Sequence, residues 1–215
     1  MKKSIGYFIG FVFIVLSGIL VKTVLPYSQK VLVNTNSYKF LLFGLIGYFI
    51  LTRIKYRIIS DNIRWFRVFS HEITHVVFSV LTFNRIEGFQ ATRDNGGMVK
   101  YHGKGNLLIS LSPYCFPLFT IVFLILKQLV SFEFIHIFDF FIGFSYTFHL
   151  HTFFIQARTY QPDIYENGYF QSYSFILFFN LFFIGLFTLE ILYGLSAFKI
   201  IFSSLWLFFV EIVAD

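Results

Sequence analysis

Long apolar runs recur along the whole of this 215-residue chain, and no soluble core could bury them all. Hydrophobic residues make up 57% of it and charged residues 13%, against about 25% charged in an ordinary globular domain. A single cysteine, Cys115, excludes a disulfide framework, and the apolar excess excludes disorder. What remains is an all-α polytopic membrane protein.

A hydrocarbon layer of about 30 Å takes roughly 20 apolar residues to cross as helix. About seven segments reach or approach that length: residues 5–25, 38–52, 63–83, 106–130, 134–156, 172–193 and 196–213. Six or seven of them are expected to cross. The first has the basic start of a signal peptide, but Pro26, Tyr27 and Ser28 follow it in place of a small-x-small cleavage site, so it reads as a retained span.

The formal charge of +6 could suggest a nucleic-acid partner, but its placement argues otherwise. Lys and Arg sit mostly between the apolar runs, with no basic stripe of interleaved aromatics. Lys2, Lys3, Arg53, Lys55, Arg57, Arg64 and Arg67 fit the cytoplasmic side, with the 22–39 loop outside. The expected surroundings are a lipid bilayer and no nucleic acid.

Two stretches are polar enough to leave the bilayer or line a cavity. In residues 84–105, the Asp94-Asn95-Gly96-Gly97 centre carries hairpin-turn chemistry. A small polar β-hairpin is expected within 85–105, with strands near 86–92 and 98–102. The other stretch is 157–168.

The third apolar segment contains His71-Glu72-Ile73-Thr74-His75, an H-E-x-x-H motif. Residues four apart lie on one face of a helix, so both imidazoles can reach one metal. Glu72 stands beside them as a proton acceptor for an attacking water, the arrangement of metal-assisted hydrolysis. A carboxylate amid an apolar helix costs at least ~2.5–3.5 kcal/mol, so it usually has a partner or a job. The blander alternative is a polar seam between helices.

With the polar Gly-Gly hairpin behind it, this motif resembles the site-2-type intramembrane zinc metalloproteases, and most nearly their M50B-like branch. The similarity runs from about Phe69 to Asn180 through HEITH, GGMVKY, SPYCFPL and QPDIYENGYFQS. It implies one zinc per chain, held by His71 and His75 with Glu72 as general base, and a third ligand from a downstream Asp. It further implies a multi-pass enzyme of a cell membrane, expected to be the bacterial cytoplasmic membrane. The substrate would be another membrane protein, cut within or beside a transmembrane segment. On this reading residues 1–215 form one integral membrane domain, with N-terminal spans in 5–62, the metalloprotease core in 63–180 and C-terminal spans in 181–215.

Two positions depart from the family pattern. Gln161-Pro162-Asp163-Ile164 stands nearest to its Leu-Asp-Gly or Asn-Pro-Asp-Gly signature, and Thr74 takes the place of a small residue. Asp163 is the first choice for third ligand, in a polar stretch beside a span. Asp139 is the rival, because simple up-and-down topology would bring it in from the face of the basic loop before the motif, unless Pro113 and Pro117 break the 106–130 run. Asn180, His149, Pro113, Gly96 and Gly97 are candidates for substrate contact or for supporting the ligands.

Two other classes compete. A di-iron hydroxylase needs several histidine boxes, and six scattered histidines fall short of them. A catalytically inactive protein of the same fold, binding client membrane proteins, is the stronger alternative.

Overall fold

The computed structural model describes residues 2–54, 57–93, 96–103 and 105–214. The expected turn residues Asp94 and Asn95 lie outside them. The protein is mostly helical, with one two-stranded antiparallel sheet. It divides into two compact units, Met1–Lys39 with Asn167–Asp215, and Phe40–Glu166.

The first unit holds α1 (Lys2–Val24), a 3-10 turn, α2 (Ser28–Val33), the start of α3 (Thr35–Arg53), α9 (Tyr169–Tyr193) and α10 (Ser196–Ala214). Its interior mixes phenylalanines such as Phe175 and Phe183 with aliphatic residues such as Leu20 and Leu189. Phe13 of α1 meets Phe175 of α9 edge-on, with ring centroids 5.0 Å apart. The Tyr38 hydroxyl donates to the Thr188 carbonyl at 2.8 Å, which fastens the start of α3 to α9.

The second unit carries the rest of α3, then α4 (Arg57–Leu81), β1 (Arg85–Ala91), β2 (Gly97–His102), α5 (Leu107–Cys115), α6 (Leu118–Lys127), α7 (Ile135–Gln156) and the single turn α8 (Pro162–Tyr165). Helix α4 ends where Phe83 takes a positive φ of 61° and the Asn84 N–H bonds back to the Ser79 carbonyl at 2.9 Å. That reversal feeds the chain straight into β1. The hairpin pairs Arg85 with His102 through Ala91 with Gly97, interrupted by a bulge at Glu87. It lies against α4.

The run expected as one span over 106–130 is broken. Asn106 caps α5 by accepting from the Ile109 N–H at 2.8 Å. The chain then bends by 73° between α5 and α6. Pro117 has no N–H to carry helix through the break, and Phe116 before it is extended.

By length and composition two described helices can cross a membrane, Ser4–Tyr27 and Tyr169–Tyr193, or three if the bent pair counts as one span. The sequence led us to expect six or seven. Helix α4 falls below that test with Asp61, Arg64 and Arg67 in its first half, and α7 with Asp139 and three histidines.

Candidate metal centre

Four-residue spacing on α4 places His71 and His75 side by side, their Nε2 atoms 3.3 Å apart. Each Nε2 is 3.7 Å from Oδ2 of Asp163 on α8. The three ligand atoms all lie within 4.8 Å of one another. The structure thus brings Asp163, rather than Asp139, to the histidine pair.

The far sides of both rings explain which nitrogens face inward. Nδ1 of His71 donates to Oε1 of Gln156 at 3.1 Å, and Nδ1 of His75 donates to the Ile109 carbonyl at 2.8 Å. A carbonyl only accepts, so His75 carries its proton on Nδ1 and turns a lone pair inward. His71 does the same against the Gln156 oxygen. Two facing lone pairs at that separation repel unless a cation or a proton lies between them. Two imidazole nitrogens and one carboxylate oxygen are also the donor set of a catalytic zinc site, which leaves a fourth position open. The residues present fit zinc.

Pro113 makes the Ile109 carbonyl available. In an unbroken helix that carbonyl would accept from the N–H four residues on, and residue 113 has none. The freed oxygen instead receives the His75 ring and the Ser112 hydroxyl, the latter at 3.0 Å.

Asp163 enters from the polar stretch 157–168. Pro162 opens α8, Ile164 is wholly buried beneath it, and α8 packs on α5. The Tyr114 hydroxyl of α5 donates to Asp163 Oδ2 at 3.0 Å. Burial by itself would raise the carboxyl's pKa. Were the two imidazoles protonated, their hydrogen bonds and charge would outweigh burial and hold the group well below the usual carboxylate range.

Glu72 is buried at 8% exposure and lies under the hairpin. A Cβ on Gly97 would stand 2.2 Å from its Cγ and 2.6 Å from its Oε1. The backbone at Gly97 therefore rests directly on the Glu72 side chain. Gly96 has the other glycine role: its φ of 73° is left-handed, and no atom of the described residues lies within 4 Å of an added Cβ. Trp65 helps fix the hairpin, its indole N–H donating to the Ala91 carbonyl at 3.3 Å. Phe69, stacked on Trp65, meets Phe89 of β1 edge-on.

The remaining candidates sit elsewhere. Asp139 is buried in an ion pair with Lys127 at 2.7 Å, joining α7 to α6. His149 is buried in α7 with its ring stacked on Tyr146. Asn180 belongs to the first unit, where its amide donates to the Ile176 carbonyl of its own helix. Sequence reasoning did not name Gln156 or the Ile109 carbonyl. Pro113 was the available signal, since a proline inside a helix always frees the carbonyl four residues before it.

The sequence model of a known family, described as Peptidase M50B-like, matches residues 41–162, more than half of the chain. The chain belongs to that family. The match takes in α4 with its H-E-x-x-H motif, the hairpin, the α5–α6 break and α7, and it stops one residue short of Asp163. M50 peptidases are membrane proteins and generally depend on zinc. No curated protein and no solved structure matches the chain.

Proposed function

We propose that this M50B-like peptidase is an intramembrane zinc metalloprotease that hydrolyses a peptide bond within or beside a transmembrane segment of another membrane protein. The observation that carries the reading is the convergence of His71 Nε2, His75 Nε2 and Asp163 Oδ2, with the other nitrogen of each ring turned to an acceptor. Those three residues would hold one zinc per chain. Zinc, when bound, polarises the scissile carbonyl and acidifies a water.

Glu72 takes the proton of the attacking water and returns it to the departing amine. Burial and the overlying hairpin limit where its carboxylate can go. Because a helix spends its carbonyls on its own hydrogen bonds, the scissile segment must be extended, and the hairpin offers it a strand edge. The proposed setting is the bacterial cytoplasmic membrane. Additional crossings by α3, α4, α7 and α10 would bring the spans to six or seven.

The test compares wild type with Glu72→Gln and His71→Ala, purified in detergent, for zinc content and for cleavage of single-span membrane reporters in proteoliposomes. The expected result is one zinc in wild type and in Glu72→Gln, none in His71→Ala, and cleavage by wild type alone. Cleavage by Glu72→Gln at the wild-type rate would refute the mechanism. Zinc-free wild type after metal is supplied would favour the client-binding alternative.

A further inference from the structure

We propose that Tyr114 is a positioning residue of the metal centre, its phenol hydroxyl holding the Asp163 carboxylate in the orientation that meets His71 and His75. The inference rests on the metal-centre reading above. Tyr114 is wholly buried, and its hydroxyl donates at 3.0 Å to Oδ2, the same oxygen that faces both Nε2 atoms. Its ring stands edge-on to His71, with centroids 5.2 Å apart. One side chain therefore packs on one ligand and hydrogen-bonds another.

Asp163 needs such support because its own element supplies little. Helix α8 is four residues long and has no side-chain cap at its start. An isolated turn of that length is not stable by itself. The torsion that rotates a carboxylate about its Cβ–Cγ bond is also broad, with no sharp staggered wells. Ile164, buried next to it, anchors the backbone of the turn. It cannot choose which way the carboxylate faces. The phenol makes that choice, and Tyr114 is held in place because it lies within the buried second half of α5.

The arrangement also accounts for a polar group in a buried place. A buried tyrosine hydroxyl costs free energy unless it finds a partner, and this one bonds the carboxylate. Through Tyr114 and the Ile109 carbonyl, α5 supports two of the three proposed ligands, and the bend after Cys115 lets it do so while α6 runs on in another direction.

The experiment measures the zinc dissociation constant of the full-length protein in detergent by competition with a chromophoric chelator. Wild type, Tyr114→Phe, Asp163→Asn and the Tyr114→Phe/Asp163→Asn double variant are compared. Tyr48→Phe serves as control, since it removes another buried phenol hydroxyl of the same unit, one bonded to His151. Loss of a hydrogen bond to a ligand costs about 10–100-fold in metal affinity, and that loss is expected for Tyr114→Phe. Tyr48→Phe should stay within about twofold of wild type. In the Asp163→Asn background the Tyr114→Phe penalty should vanish, because the hydroxyl acts through that carboxylate. Equal zinc affinity in Tyr114→Phe and wild type would overturn the proposal, as would an undiminished penalty in the Asp163→Asn background or an equal loss in Tyr48→Phe. In each of those cases zinc bound by wild type leaves the metalloprotease reading standing. Zinc-free wild type overturns both.

Discussion

Replacing Gly97 by alanine adds a single methyl group directly over the proposed general base. The new Cβ would lie 2.2 Å from Glu72 Cγ, and ordinary contact begins near 3.4 Å, so one of the two must retreat by about 1.2 Å. The hairpin is paired along its length and fixed to α4 through Trp65, so we expect much of that displacement to fall on the Glu72 side chain. A misplacement of about 1 Å in a reacting group can cost roughly 100-fold in rate. That is about 2.7 kcal/mol of barrier. The assay is cleavage, in proteoliposomes, of a reporter that wild type cuts and Glu72→Gln does not. We expect kcat to fall about 100-fold in Gly97→Ala, with zinc content unchanged because the three atoms nearest the added Cβ all belong to Glu72. Gly96→Ala is the matched control: it meets no atom of the described residues within 4 Å and pays for a left-handed φ, about 1–2 kcal/mol of local stability. It should keep most of the turnover. Turnover in folded, zinc-loaded Gly97→Ala within twofold of wild type would refute the reasoning, and so would an equal loss in Gly96→Ala.

Other perturbations probe the supports of the centre. Pro113→Ala restores the N–H that can reclaim the Ile109 carbonyl, so His75 loses part of its hold and zinc affinity should drop about tenfold; an unchanged dissociation constant would contradict this. Zinc at one hundred times its dissociation constant should stabilise wild type by about 2.7 kcal/mol and leave His71→Ala unaffected, as read by thermal unfolding in detergent. Lys127→Met strips the buried Asp139 of its ammonium partner and should cost about 3–5 kcal/mol. The Lys127→Met/Asp139→Leu pair should recover most of that loss while still binding zinc; a double variant no more stable than the single one would argue against a buried pair.

Much of the centre was legible in the chain because it obeys local rules. Four-residue spacing puts His71 and His75 on one helical face whatever surrounds them. A Gly-Gly turn between alternating residues made the hairpin readable, and its strands fall within a residue of those expected. The choice between Asp163 and Asp139 was not local. Simple topology favoured Asp139, but that argument assumed an unbroken span over 106–130. The bend between α5 and α6 removes the assumption, and Lys127 takes up Asp139.

The count of membrane crossings shows the converse. Apolar content was plain in the sequence, yet only two or three described helices pass by length and composition alone, because α4 and α7 place their charges and histidines within the helices. By itself, then, the sequence determined the helical membrane character, the histidine pair with Glu72, and the hairpin. Only the tertiary structure brought Asp163 to the histidine pair, set Gln156 and the Ile109 carbonyl against the rings, and laid Gly97 on Glu72. Those contacts join residues 25 to 92 positions apart, and no spacing rule reaches that far. A buried ring nitrogen or carboxylate is costly without a partner, and for His71, His75 and Asp163 those partners lie on other elements.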